Sequence, residues 1–258
     1  MTQDRPTDST FDQSPYRLRL DWGRRGAIAA AARGDVVVVV DVLSFSTAAI
    51  AAVEAGAIVI PCDPACDQRA LAAELGAELA VKRDLVPAGG RYSLSPSTFA
   101  DIEPGTRVLV PSPNGASCAA AAAAAPEAAV LIGSLNNLLA VARTAMRLCP
   151  PDGTITVIAA GERWPDPDDD GRLRFAIEDY LGAGAILALL HDGPYSPEAQ
   201  LCARAYGACE HDVPGFLWDC ASGRELRARG YGEDVRFAAR RGTSNVVPVL
   251  RDGCLVPA

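Results

Sequence analysis

Short apolar runs bounded by polar turns divide this chain into repeated strand–turn–helix units. The clearest is five consecutive valines, Val36 to Val40. They are followed by Asp41-Val42-Leu43-Ser44-Phe45-Ser46-Thr47 and an alanine-rich run to Val53. β-Branched residues pack well on a pleated surface. A strand apolar on both faces belongs inside a sheet covered by helices, and the alanine run predicts one covering helix. Two further units have the same order. Arg107 to Val110 leads into Pro111-Ser112-Pro113-Asn114-Gly115-Ala116-Ser117, with a helix expected over 116–125. Thr154 to Ala160 leads into Gly161-Glu162-Arg163, an acidic loop to residue 174, and a helix over 175–190. The three turns share no residues, so architecture recurs here without a sequence repeat.

The remaining pattern predicts strands at 17–22, 57–61, 78–81, 130–134 and 246–250. It predicts helices at 26–33, 68–75, 136–148, 197–209, 214–220 and 222–229, with a polar loop over 82–104. Pro248 cannot donate to a ladder, which places the last strand at a sheet edge. Strands alternating with helices predict an α/β fold, layered α/β/α on a mainly parallel sheet. Residues 1–16 are polar, acidic and proline-bearing and read as a disordered tail. Residues 17–258 then form the folded domain, and any division into two lobes falls near 126–136.

Composition narrows the function. A chain of 258 residues buries a sizeable core. At 49% hydrophobic but only 6% aromatic residues, alanine and valine must fill that core, which suits close helix–sheet packing. A net charge of −8 argues against nucleic acid, which needs a basic footprint. It leaves room for a local anion site. No apolar run reaches membrane-spanning length and no signal-peptide core is present, so the chain is expected in the cytoplasm. The eight cysteines are scattered and the only histidines are His191 and His211. Buried, reduced thiols are therefore expected, not zinc or disulfides.

Candidate chemistry lies at the predicted strand ends, where α/β sheets bind ligands. Asp41 directly follows a fully apolar strand, and a buried carboxylate there needs compensation. Magnesium suits it, because that ion takes oxygen ligands from one or two carboxylates plus a substrate phosphate. Ser112, Asn114 and Gly115 open a helix and offer hydroxyl, amide and backbone N–H groups to an anion. No P-loop pattern is present, so ATP is not implied. Glu162 and Arg163 place a carboxylate and a phosphate-clamping guanidinium at the third strand end. Glu178 and Asp179 begin the next helix. Neighbouring helical residues diverge by about 100°, so one of them is expected to face the cleft, and Asp179 is preferred. Asp166, Asp168, Asp169 and Asp170 lack calcium-loop spacing and read as a solvated loop.

Taken together, these residues resemble the 2-phosphosulfolactate phosphatase (ComB) family from about Asp35 onward. The resemblance rests on Val40-Asp41-Val42-Leu43 with Ser46-Thr47, on Leu94-Ser95-Pro96, and on Asn114-Gly115. It continues through Ala160-Gly161-Glu162, Glu178-Asp179-Tyr180-Leu181-Gly182-Ala183-Gly184, Ser222-Gly223-Arg224-Glu225-Leu226 and Val247-Pro248. It implies a magnesium-dependent phosphatase that converts 2-phospho-3-sulfolactate to sulfolactate on the route to coenzyme M. Three positions depart from the family pattern. Ser44 stands where the family has arginine, which takes a cation out of the turn. Pro111-Ser112-Pro113 replaces a threonine-rich turn, and Ala159-Ala160-Gly161 replaces Cys-Ala-Gly.

The resulting expectation is a site in which Asp41 and Glu162 hold Mg²⁺, with Asp179 assisting. Ser46, Thr47, Ser112, Asn114, Gly115 and Arg163 would bind a small acidic substrate. A homodimer is expected. The rival readings are a phosphatase of another small phosphoester on the same scaffold and a non-catalytic anion-binding homologue.

Overall fold

A computed structural model describes residues 11–125, 127–164, 173–191 and 193–258. The elements that organise it are β1 (Leu18–Trp22), α1 (Gly23–Ala32), β2 (Val36–Val40), α2 (Phe45–Glu54), β3 (Ile58–Cys62), α3 (Gln68–Glu74) and β4 (Glu78–Leu79). They continue with β5 (Arg107–Pro111), α4 (Gly115–Ala122), β6 (Val130–Gly133), α5 (Leu138–Leu148), β7 (Ile155–Ala159), β8 (Glu162–Arg163), β9 (Leu173–Arg174) and α6 (Ile177–Leu187). The chain ends with α7 (Pro197–Cys209), α8 (Val213–Asp219), α9 (Ala221–Ala228), α10 (Gly232–Ala238), β10 (Pro248–Arg251) and β11 (Cys254–Pro257).

The main sheet has the order β1-β7-β2-β6-β10-β11-β3-β5-β4. β1, β7, β2 and β6 pair in parallel, and so do β3, β5 and β4. The antiparallel hairpin β10–β11 joins the two groups. The fold is therefore α/β, layered, on a mixed sheet with mostly parallel pairs. β8 and β9 form a small separate ladder.

The valine strand is the axis of both cores. Val36, Val38 and Val40 pack into one apolar cluster with residues of α5, α6, α7 and α8. Val37 and Val39 face the opposite way, into a cluster with α1, α2 and α4. Strand alternation produces this division. Complete burial of each valine contributes roughly 1.5–3 kcal/mol.

One expectation needs correction, and three regions gain detail. β10 is not an edge strand: it lies between β6 and β11. Pro248 is tolerated there because it is the strand's first residue and Val249 makes the pairing to Leu131 of β6. Residues 126–136 include β6, which sits inside the ladder, and the C-terminal hairpin lies between the two parallel groups. Of the segment read as a disordered tail, residues 11–15 form turns, and Gln13 Nε2 donates to Leu20 O at 2.6 Å. Residues 1–10 lie outside the described residues. Finally, α10 and β11 are elements that the apolar pattern does not reveal. The aspartates at 166 and 168–170 also lie outside the described residues.

Candidate active site

Asp41 sits where β2 ends and is 3% exposed. Its Oδ1 accepts from Phe45 N at 3.1 Å, and its Oδ2 accepts from Gly115 N at 2.8 Å. Those two N–H groups open α2 and α4. Both helix N-termini thus converge on one carboxylate, the charge that such termini favour. The turn read as an anion site does receive an anion, but that anion is the protein's own Asp41. Gly115 is required by this approach. A Cβ there would lie 2.6 Å from Asp41 Cβ and 2.7 Å from Phe45 Cδ1.

Asp179, in the first turn of α6, accepts from Val42 N at 2.8 Å and from Gly161 N at 2.9 Å. It ties the loop after β2 to the loop after β7. Gly161 has φ +69°, a conformation that favours glycine. Glu162 follows directly, and Asn114 Nδ2 donates to its Oε2 at 3.0 Å. Consecutive residues Asn114 and Gly115 therefore hold Glu162 and Asp41 respectively. Ser222 Oγ, on α9, approaches Glu162 Oε1 at 3.5 Å.

The expectation that only one of Glu178 and Asp179 faces the cleft is corrected. Glu178 is 2% exposed. It acts electrostatically on Asp41, Glu162 and Asp179, and its carboxylate also meets the Cys220 thiol before α9. The first turn of α6 packs against the sheet end and Cys220, and both adjacent positions are buried. The buried carboxylates Asp41, Glu178 and Asp179 and the half-buried Glu162 thus share one region.

Their electrostatics follow. Burial pushes the Asp41 carboxyl up to about 6, with the Gly115 and Phe45 N–H groups opposing and the nearby Glu178 charge adding. Burial and the Asp41 charge push Glu162 up to about 7, against the Asn114 hydrogen bond. Asp179 is raised well above the usual carboxylate range by burial and by Asp41 and Glu178. Arg83 acts in the other direction and lowers Asp41.

The three hydroxyls expected to bind substrate take part in hydrogen bonds within the protein. Ser46 is fully buried; its Oγ accepts from Asp41 N at 2.9 Å and donates to Val39 O at 3.3 Å. Thr47 Oγ1 donates to Val42 O at 2.8 Å and pairs with Ser134 Oγ at 2.9 Å. Ser112 Oγ accepts from Asn114 N at 3.3 Å. All three brace the turns that carry the carboxylates, and none opens to a cleft. Arg163 does open to one. It lines a cavity of about 550 Å³ with Arg24, Arg25, Asn114, Pro113 and Trp22. Arg24 and Arg25, on the first turn of α1, gave no signal in sequence beyond their charge.

A protein-family model described as 2-phosphosulpholactate phosphatase matches residues 26–253. The chain belongs to that family. Members are phosphoric monoester hydrolases, and the carboxylate cluster of this chain lies wholly within the matched residues. A probable 2-phosphosulfolactate phosphatase of Thermus thermophilus is 32% identical over 227 residues, covering 84% of this chain and 88% of the relative. One of Deinococcus radiodurans is 31% identical over 242 residues, covering 87% and 91%. A 2-phosphosulfolactate phosphatase of Methanothermobacter thermautotrophicus is 34% identical over 123 residues, covering 48% of each chain. No described helix is long and apolar enough to cross a membrane.

Proposed function

We propose that this protein hydrolyses 2-phospho-3-sulfolactate to sulfolactate and phosphate with Mg²⁺, in a cytoplasmic step toward coenzyme M. The observation that carries the reading is the group of three buried carboxylates and the half-buried Glu162 beside an arginine-lined cavity, in a chain of this family. All eight cysteines are free, which suits a reducing compartment.

Among the described residues, no three His, Cys, Asp or Glu side chains form a ready cation cage. Magnesium seldom uses one: one or two carboxylates, waters and a substrate phosphate suffice. Asp41 is buried and Glu162 half-buried, and the Asp41 charge raises the Glu162 pKa. Such a donor set lacks a positive charge, and it fits the ion. Asp41 and Glu162 would hold it. When bound, the metal supplies a Lewis acid that polarises a phosphoryl oxygen and offsets developing charge.

The chain's own groups do the rest. Arg163, Arg24 and Arg25 draw a polyanionic substrate into the cavity against the acidic background of the protein. Asn114 fixes the orientation of Glu162 through Oε2. A bound cation would keep the Glu162 carboxylate ionised. Asp179 keeps the loops that carry Asp41 and Glu162 at a fixed separation.

The test is phosphate release from 2-phospho-3-sulfolactate and a panel of small phosphoesters, with Mg²⁺ or with EDTA. Turnover should need the metal and should drop at least 100-fold in Asp41→Asn and Glu162→Gln. Turnover that EDTA leaves intact would exclude the metal. Preference for a substrate without sulfonate would assign a different phosphoester.

A further inference from the structure

Arg83 lies in the polar segment between β4 and β5, outside every motif noted above. Its side chain is 10% exposed and is held on several sides. Nε donates to Asp234 Oδ2 at 2.8 Å and to Ser95 Oγ at 3.1 Å. Nη2 donates to Leu94 O at 3.0 Å and to Ser44 Oγ at 2.6 Å. Ser95 Oγ donates to the same Asp234 oxygen at 2.6 Å. The guanidinium also lies over the Tyr231 ring, 5.5 Å from its centroid.

Two features separate this group from a structural ion pair. A guanidinium has five N–H donors, and both on Nη1 have no partner among the described residues. Nη1 is not one of the sealed, unpartnered nitrogens, so it keeps contact with solvent. The cation also reaches the turn of Asp41: Nη2 holds Ser44, whose neighbour Phe45 donates its N–H to Asp41 Oδ1. A buried Arg–Asp pair is a weak source of stability, because desolvation offsets its attraction. Here the pair presents one rigid, uncommitted end of a cation at Ser44, beside the carboxylates. Ser44 is the position at which the family resemblance places an arginine. In this fold a guanidinium reaches that position from another loop.

We propose that Arg83 binds a tetrahedral oxyanion of the substrate, its phosphate or its sulfonate, through Nη1, with Asp234 and Ser95 as positioning residues. The proposal rests on the phosphatase reading above. Four carboxylates repel a phosphorylated acid, so a cation on their side of the site must offset them. The planar fork of arginine suits oxyanions bidentately, which lysine cannot reproduce.

The experiment compares Arg83→Lys and the double variant Arg83→Gln/Asp234→Asn with wild type. The double variant leaves no buried charge unpaired. Thermal melts report folding. Steady-state kinetics use 2-phospho-3-sulfolactate and 2-phospholactate, which lacks the sulfonate, and calorimetry measures inorganic phosphate binding. The double variant should melt within a few degrees of wild type. Its kcat/KM should fall about 10- to 100-fold, mainly through KM, and low-millimolar guanidinium should restore part of the loss. A KM rise on both substrates with weakened phosphate binding assigns the phosphate. A rise only on the sulfonated substrate assigns the sulfonate. A folded double variant with wild-type KM on both substrates overturns the proposal, as does a loss that guanidinium leaves untouched. If wild type hydrolyses no phosphoester, the phosphatase reading fails, and Arg83-dependent phosphate binding still decides this one.

Discussion

Asp41 commits both carboxylate oxygens to backbone N–H groups, yet burial and the neighbouring Glu178 still raise its pKa to about 6. A carboxyl raised on folding binds its proton more tightly in the native state. Its stabilising contribution is present below the ordinary carboxylate value of about 4 and is lost as pH rises through the native value. With Asp41 at about 6 and Glu162 at about 7, metal-free protein should lose stability across that window. Asparagine at 41 or glutamine at 162 cannot ionise. The Tm of each variant relative to wild type should therefore increase as pH rises through its window, measured by thermal melts in EDTA. An unchanged difference across that range would show that the carboxyl does not titrate there. At Gly115 a single methyl meets Asp41 and Phe45 at 2.6–2.7 Å. Gly115→Ala should destabilise by about 1–3 kcal/mol and abolish turnover, measured by urea unfolding and phosphate release.

At the scale of elements, the turns after β2 and β7 are held by Thr47, which sequence alone reads as a substrate ligand, and by Asp179, which it reads as assisting the metal. Thr47 is bound to Val42 O and Ser134 Oγ. Thr47→Val should cost about 1–3 kcal/mol of stability while leaving KM unchanged; a large KM increase with full stability would return Thr47 to the substrate. Asp179→Asn leaves one oxygen where Val42 N and Gly161 N each need one. A comparable stability loss, together with a fall in kcat, is expected from melts and kinetics. Strand ends and helix starts were legible because apolar runs stop abruptly at polar residues, as at Val40-Asp41 and Ala160-Gly161. Helix α10 was not legible. It spans only Gly232–Ala238 and buries three of its residues, too short a pattern for periodicity. Yet its Asp234 fixes Arg83.

Across the whole molecule, the C-terminal hairpin is the join between two parallel groups of strands. Removing residues 246–258 should expose the facing edges of β6 and β3 and abolish a single cooperative urea transition by circular dichroism. A truncated chain that unfolds in one transition at wild-type midpoint would show that the groups need no bridge. The same join decides why Pro248 misled the edge assignment: a proline at a strand's first residue lacks a donor that this ladder does not require there.

The sequence by itself determined the α/β class, the buried valine strand, the strand-end positions of Asp41 and Glu162, and the family resemblance. Each depends on local order along the chain: burial period, strand-to-turn boundaries and motif spacing. Only the tertiary structure decided that Glu178 and Asp179 both point inward, that Ser46 and Thr47 hydrogen-bond within their own turns, and that Arg83 reaches Ser44 across 39 positions of chain. Those outcomes depend on which side chains meet through folding. Burial and the competition of hydrogen-bond donors for each acceptor are set by neighbours that no stretch of sequence contains.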